Sequence, residues 1–186
     1  VQKLFQKLAY FVYSTQFVAP QQCLCDIFNT SNMAKDVTSA IDLMPRVVLV
    51  NRCILIGKDN KILLIQRSAE DPWLPGKWEF PGGKLDPGQS PTDALERELW
   101  EETHLTMTPI SRQAYAYGKI LTEGKYAGLP FLEIIGIANL QGGRLTLSKE
   151  HQDSGWKTIE EAYSLELTDE TRKALGELEE TLNTKH

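Results

Sequence analysis

The sequence predicts an α/β fold, with a mixed β-sheet between helices on either side. Two observations carry this prediction. Apolar runs with the length of strands recur from residue 46 onwards, beginning with the stretch 47–56. Three other segments, around 90–103, 158–163 and 168–183, are predicted as helices. A chain in which predicted strands are interspersed with predicted helices is typical of a layered domain rather than of a helical bundle or a β-sandwich.

The composition changes near residue 45 and predicts a boundary there. Residues 1–45 lack a strand pattern and contain scattered turn formers, so they are predicted as an N-terminal extension, helical or poorly ordered. Their apolar stretch after Lys3 and Lys7 weakly resembles a signal peptide, but Ser14 and its polar neighbours interrupt it. A partner-binding or membrane-surface role stays open for them. Residues 46–186 are predicted as one folded domain.

The strands follow in order from this boundary. Residues 47–56 are predicted as one long strand, and a turn at 58–61 returns the chain as a second strand over 62–65. A short strand over 78–80 stops at a Pro-Gly-Gly sequence. Further strands are predicted at about 106–119, 129–139 and 143–148, and around Trp156.

The helix predicted over 90–103 has clear signals at its start. Ser90 is a good N-cap residue, and Pro91 suits the first helical position. Ala94, Leu95 and Leu99 then form an apolar stripe at helical spacing. This helix is therefore expected to bury one face and expose the other.

Composition and charge exclude several classes of function. The 186-residue chain has a net charge of −5 and no Lys/Arg-rich run, so no stable nucleic-acid binding is expected. Its three cysteines include no metal-type pair of CxxC motifs, which disfavours a disulfide framework and a zinc site. No stretch approaches the roughly 18 apolar residues of a membrane span. We expect a cytoplasmic protein with reduced thiols and a small-molecule partner.

Carboxylates concentrate on one face of the 90–103 helix. Glu98 is three residues before Glu101 and four before Glu102, which places all three side chains together. Like charges at this spacing destabilise an isolated helix. A hard divalent cation reverses that effect, since Mg²⁺ prefers carboxylate oxygens. The cluster predicts a Mg²⁺ cofactor, with Mn²⁺ as the alternative, and Arg97 is placed to hold the Glu101 carboxylate.

The segment from Gly83 to Leu105 resembles the Nudix box. The family pattern is G, five residues, E, seven residues, then REUxEExGU, where U is aliphatic. Here Gly83 is followed after five residues by Gln89, and Arg97 begins the REUxEE stretch. The preceding residues 77–84 are similar to the MutT branch, which hydrolyses nucleoside triphosphates. The resemblance implies a Nudix α/β/α sandwich over residues 46–186.

The resemblance also implies an activity, which is Mg²⁺-dependent hydrolysis of the diphosphate linkage of a nucleoside diphosphate joined to another moiety. A nucleoside triphosphate is the favoured substrate. Nucleotide sugars, ADP-ribose and dinucleoside polyphosphates remain open, because pocket walls rather than the box select among them. Family members are often homodimers, so a homodimer is an open possibility.

The residue roles follow from the same resemblance. Glu98, Glu101 and Glu102 are expected to hold metal or act on metal-bound water, with the Gly82 carbonyl as a further ligand. Glu98 is the first choice for the catalytic base, and Glu101 is also assigned a catalytic role. The remaining box residues Gly83, Gln89 and Arg97 are expected to support the site.

Two box positions depart from the family pattern. Gln89 stands where the family has Glu, and an amide brings no negative charge. His104 stands where the family has Gly, at the end of the helix, where a left-handed conformation is common. The Gln89 departure keeps open a degenerate module that binds nucleotides without hydrolysing them.

Outside the helix, five residues are candidates for the site. Glu150 precedes a late strand and is a candidate for a further catalytic carboxylate. Arg67, at the end of the second strand, and Lys84, in the box loop, are candidates for phosphate contacts. Trp78 and Phe80 are candidates for the substrate pocket, with the core as the alternative.

Overall fold

The computed structural model describes residues 46–183, so the predicted extension 1–45 lies outside the described residues. Its strands are β1 (Val48–Ile56), β2 (Ile62–Arg67), β3 (Trp78–Glu79), β4 (Gly82–Lys84), β5 (Leu105–Met107), β6 (Arg112–Ile120), β7 (Pro130–Gly143) and β8 (His151–Lys157). Its α-helices are α1 (Pro91–Thr103), α2 (Ile159–Tyr163) and α3 (Asp169–Asn183), and a short 3-10 helix covers Lys58–Asn60.

Within residues 46–183 the strands form one mixed sheet, as predicted. The central order is β3-β2-β1-β7-β5, with β4 paired to β1, β6 to β7 and β8 to β2. β1 and β7 run parallel over their whole shared length, from Val48 beside Phe131 to Ile56 beside Asn139. The other strand pairs are antiparallel. The long parallel pair therefore lies at the centre of the sheet.

Helices cover both faces of this sheet, which confirms the predicted α/β/α sandwich. Successive side chains of β1 point to opposite faces. Cys53 and Leu55 pack in a core cluster with Leu95 and Leu99 of α1. Ile54 packs in the other cluster, which includes Leu175 of α3 and Ala162 of α2. The apolar stripe predicted for α1 is thus its buried face.

Two strand predictions were wrong in their bounds. The segment 106–119 divides into β5 and β6, which pair with different parts of β7. The segment 143–148 is not a strand, since β7 continues to Gly143 and no strand follows before β8. Its leucines still pack against the α1 core cluster. The backbone N–H groups of Thr146 and Ser148 donate to carbonyls at the end of α1 instead of to a neighbouring strand.

None of the helices in residues 46–183 is both long and apolar enough to cross a membrane. The cytoplasmic location stays a prediction. Cys53 is buried and free, whereas Cys23 and Cys25 lie outside the described residues.

Candidate active site

The glycine loop before α1 is held against β1. Gly82 pairs with Arg52 and Gly83 with Asn51 across the β1–β4 ladder. Gly82 has φ +133°, and a Cβ there would overlap the backbone carbonyl oxygen of Asn51. Only glycine satisfies both constraints. The backbone of Gly82 thus lies closer to β1 than it could if residue 82 had a side chain.

Helix α1 begins and ends as its sequence predicts. The Ser90 hydroxyl accepts a hydrogen bond from the Asp93 N–H at 3.1 Å, with Pro91 at the first turn. The Asn51 side chain donates to the Pro91 carbonyl at 3.0 Å and joins the start of the helix to β1. At the other end His104 adopts the left-handed conformation with φ 55°. Both ends fix the rotation of the helix about its axis.

This rotation brings two carboxylates to the glycine loop. Glu102 is 7% exposed, and its Oε2 accepts a hydrogen bond from the Gly82 N–H at 2.8 Å. The Glu98 carboxylate lies against Gly83, where an added Cβ would be 2.5 Å from its carboxyl carbon. Glu101 is exposed on the next part of the same face.

Arg97 joins the two more exposed carboxylates. Its Nη2 is 2.9 Å from Glu98 Oε1, and its Nη1 is 2.8 Å from Glu101 Oε2. The same Nη2 lies 3.4 Å from the Gln89 side-chain oxygen, which also accepts from the Asp86 N–H at 3.3 Å. Arg97 thereby orients Glu98, Glu101 and Gln89 with respect to one another.

Burial raises the pKa of Glu102 to about 8, and the negative charges of Glu79 and Glu98 contribute to the same shift. The Arg52 guanidinium and the Gly82 N–H oppose it. Burial also raises the pKa of Glu98, against the opposing charge of Arg97. At Glu98 and Glu102, therefore, burial outweighs the stabilising effect of the nearby positive charges on the ionised carboxylates.

A buried ion network lies beneath the loop. Arg52 Nη2 is 2.9 Å from Glu79 Oε2, and Arg52 Nε is 2.9 Å from Glu133 Oε1. Its Nη1 donates to the carbonyls of Phe80 at 2.7 Å and Gly82 at 3.2 Å. Burial raises the pKa of Glu133 to about 7 despite the Arg52 charge. One arginine side chain thus fixes both ends of the turn that positions the site.

His151 was not among the predicted site residues, but it lies beside Glu102. Its Nε2 is 3.7 Å from Glu102 Oε1 and 4.0 Å from Glu79 Oε1. This nitrogen is buried and has no hydrogen-bond partner among the described residues. Its Nδ1 is 3.3 Å from the Ser148 hydroxyl.

Sequence signals for the missed residues were weak. Arg52 interrupts an apolar strand, and Glu79 stands between two aromatic residues. Polar residues in such positions are candidates for buried pairs. His151 carried no comparable local signal.

Two of the predicted substrate residues are internal. Phe80 has no exposed surface and Trp78 is 7% exposed, and both belong to the core cluster that includes α3. Phe80 and Trp78 therefore take the core position that was the alternative for them, and a substrate contact of either residue stays a prediction. Their apolar side chains are buried because they pack with Ile54 of β1 and Leu175 of α3.

The remaining predicted residues lie around the site. Arg67 pairs with Glu79 at 2.6 Å and with Asp71 at 2.5 Å, so its guanidinium is engaged in internal ion pairs. Glu150 is exposed, and its negative charge contributes to the raised pKa of Glu98, which places it on the same side of the domain. Lys84 is exposed immediately after the glycine loop.

The donor set fits a hard divalent cation. In the part of the chain that the structure describes, no three His, Cys, Asp or Glu side chains converge closely enough to hold a metal. Instead, Arg97 and the Gly82 N–H hold the carboxylates. The ligand atoms offered by Glu98, Glu101, Glu102 and the Gly82 carbonyl are all oxygens, with the His151 Nε2 nitrogen 3.7 Å from Glu102 Oε1, and a bound cation would offset the burial of Glu102.

An α/β/α sandwich with a glycine loop set against the carboxylates of α1 is the arrangement that the sequence resemblance implies for a hydrolase of phosphate anhydrides. The chain belongs to the NUDIX domain family, whose model matches residues 48–178. Members of the family are pyrophosphohydrolases and generally use divalent metal ions. The chain is accordingly a MutT-like Nudix hydrolase that acts on nucleoside diphosphate derivatives.

Three similar proteins illustrate the relationship. Nucleoside triphosphatase NudI of Enterobacter sp. (strain 638) is 27% identical over 125 residues, which cover 64% of this chain and 89% of that protein. The MutT protein of Methanosarcina mazei Go1 has a TM-score of 0.64 at 25% identity, covering 75% of this chain and 97% of that one. A C. elegans Ap4A hydrolase has a TM-score of 0.57 at 25% identity, covering 74% and 98%.

Proposed function

We propose that this chain uses Mg²⁺ to hydrolyse a diphosphate linkage of a nucleoside triphosphate. The single observation that carries the proposal is the buried Glu102, held by the Gly82 N–H within a cluster of oxygen donors. A buried carboxylate with its pKa raised to about 8 lacks sufficient neutralising charge. A divalent cation together with substrate phosphates is the partner that such a cluster suits.

The residues that would hold the metal are Glu98, Glu101, Glu102 and the Gly82 carbonyl. When bound, Mg²⁺ neutralises phosphate charge and lowers the pKa of bound water. Mn²⁺ offers the same oxygen-binding chemistry and is the alternative cofactor. The Gln89 amide adds no charge, so it supports the loop through Arg97 rather than serving as an anionic ligand.

The protein itself supplies proton transfer and positioning. Glu98 accepts the proton of the attacking water, and its raised pKa brings it closer to neutral pH, where general bases work best. Arg97 fixes the Glu98 rotamer, and Glu150 faces the same side as a second carboxylate. Arg52 keeps the Gly82 carbonyl in place through its hydrogen bond.

A nucleoside triphosphate is preferred because a relative similar in sequence is named nucleoside triphosphatase and one similar in fold is named MutT protein. Dinucleoside polyphosphates are the second candidate, since an Ap4A hydrolase has the same fold at similar identity. ADP-ribose and nucleotide sugars remain further alternatives, and the homodimer stays a prediction.

The experiment compares the wild type with Glu102→Gln and Glu96→Gln on a broad nucleotide panel with Mg²⁺. Phosphate and pyrophosphate release are read separately. Glu96 is exposed on α1 and loses the same charge, so it is the matched control. We expect Glu102→Gln to lose nearly all activity, while Glu96→Gln keeps it. Tight nucleotide binding by the wild type without any release would instead support the degenerate binding module.

A further inference from the structure

Two loops meet beside the glycine loop and form a rim, defined by Trp73 in the loop 68–77 and by Gly124 and Tyr126 in the loop 121–129. Trp73 is 46% exposed, which is unusual for a large aromatic side chain without a partner surface. The core does not account for it, because Trp73 belongs to none of the buried clusters in the described residues.

The loop that carries Trp73 is braced from within. Asp71 Oδ1 accepts hydrogen bonds from the N–H groups of Trp73 at 2.8 Å and Leu74 at 3.1 Å. The other carboxylate oxygen of Asp71 pairs with Arg67, which in turn pairs with Glu79 beside His151. The backbone that carries this exposed tryptophan is thus joined to the ion pairs of Arg67 through Asp71.

The second loop is shaped to fit Trp73. Gly124 has φ +74°, and a Cβ built there would be 3.0 Å from the Trp73 ring. Glycine is therefore favoured by the backbone conformation, and a Cβ at this position would press on the indole. Gly128, in the same loop, also has positive φ, but a Cβ there would meet nothing within 4 Å.

The other side of this loop lies over the box. The Lys84 ammonium is 5.4 Å from the centre of the Tyr126 ring, and the Lys125 ammonium is 4.8 Å from it. Lys84 directly follows Gly83, against which the Glu98 carboxylate lies. The rim therefore runs from an exposed indole to two ammonium groups at the Tyr126 ring, one of which belongs to the residue that follows Gly83 in β4. Its charge complements a molecule with an aromatic end and an anionic end.

We propose that the base of the nucleotide substrate stacks on Trp73, while its phosphate chain passes Lys84 on the way to the carboxylates. This inference rests on the proposed function and adds the surface that selects for a nucleobase. Base–aromatic stacking is tolerant of base identity, because every base presents a π-face. The rim accordingly favours nucleotides over inorganic polyphosphates, with little preference among the bases.

The first test compares Trp73→Ala, Trp73→Phe and Trp100→Ala in steady-state hydrolysis. Trp100 is a matched control, since it is 50% exposed and its ring contacts that of His104 at its own helix end. Loss of stacking should raise KM for the triphosphate on the order of tenfold in Trp73→Ala, with kcat little changed. Trp73→Phe should retain most of the affinity, and Trp100→Ala should match the wild type.

A second readout separates stacking from a structural role. Inorganic tripolyphosphate has no base, so its inhibition constant should be the same in Trp73→Ala and the wild type. A comparison of Gly124→Ala with Gly128→Ala tests the position of the Trp73 indole without removing it. Both variants carry backbone strain, but only Gly124→Ala displaces Trp73 and should raise KM.

A third test measures the binding of nucleoside diphosphates by the quenching of tryptophan fluorescence. Its result does not depend on turnover. Quenching that is present in the wild type and lost in Trp73→Phe supports the proposal. Wild-type affinity in Trp73→Ala would overturn it and leave the hydrolase function intact. Absence of all hydrolysis in a wild type that still shows this quenching would overturn the proposed function alone.

Discussion

The Glu98 carboxylate occupies the space that a side chain at position 83 would need, since a Cβ on Gly83 would be 2.5 Å from the Glu98 carboxyl carbon. The backbone of Gly83 does not have positive φ, so alanine fits its conformation. The glycine is thus required by the position of the carboxylate and not by the turn.

Gly83→Ala should reduce kcat by roughly 100-fold, because a small misplacement of a catalytic group has an effect of this order. The displaced atoms are the end of a flexible side chain, so the free energy of unfolding should change little. Gly142→Ala is the control, since its Cβ would make only an ordinary contact with Thr106. Equal kcat values for the two variants, measured with saturating substrate, would contradict the role given to Glu98.

The pKa of Glu102 predicts how stability depends on pH without metal. It is raised to about 8 from 4.5, so the folded state holds a proton that the unfolded chain releases. Stability from this group is fully present below pH 4.5 and declines as pH rises through about 8. Glu102→Gln should remove the decline and raise Tm at pH 8.5 by roughly 5 °C in EDTA.

Thermal unfolding in EDTA between pH 5 and 8.5 measures this difference. The raised pKa of Glu133 is present in the wild type and in Glu102→Gln, so it contributes equally to the slope of Tm against pH in both. Added Mg²⁺ should stabilise the wild type and leave the variant nearly unchanged. Parallel Tm curves for the two proteins would show that Glu102 is ionised in the folded state without metal.

Gln89→Glu should strengthen metal binding, because it adds a negative charge beside Arg97 and the carboxylates. The Mg²⁺ concentration for half-maximal activity should fall by about three- to tenfold, as ligand charge tunes affinity. Gln141→Glu adds the same charge at an exposed position of β7 and is the control. A metal titration that is unchanged by Gln89→Glu would place residue 89 outside the field of the metal.

His104 allows the cost of its left-handed conformation to be measured. Both His104→Ala and His104→Gly lose the ring contacts with Trp100 and the Thr146 carbonyl. They differ in that alanine keeps the strain of φ 55° and glycine does not. His104→Gly should therefore be about 1 kcal/mol more stable than His104→Ala in urea unfolding. Equal stabilities would mean that the helix end relaxes in these variants.

Helix α1 could be predicted residue by residue, because its determinants are local. The Ser90 cap, the first-turn Pro91 and the Leu95–Leu99 stripe all follow from short-range rules, and the structure has each of them. The long strand β1 and the hairpin to β2 were predicted for the same reason. The segment 143–148 was wrongly predicted as a strand because its leucines alternate with polar residues. The same alternation also occurs in a segment that packs its leucines on the core without pairing with another strand.

The ion network could not be predicted, because strand register selects its partners. Arg67 looked like a free cation at a strand end, but the β2–β3 pairing places Ile65 beside Glu79 and brings that carboxylate within reach. Arg52 meets Glu133 only because β1 and β7 are parallel neighbours, with Val50 beside Glu133. Contacts of this kind depend on positions far apart in the chain.

The hydrogen bonds of Arg52 determine which parts of this chain can be exchanged to alter its activity by design. This arginine ties the turn between β3 and β4 to the buried sheet through the Phe80 and Gly82 carbonyls, whereas the loops 68–77 and 121–129 supply neither of these hydrogen bonds and the first of them reaches Arg52 through Asp71, Arg67 and Glu79. Exchanging those two loops between related enzymes should change which nucleotide is accepted and leave the bond-breaking apparatus in working order. Substitutions at Arg52 should disable the enzyme for every substrate alike.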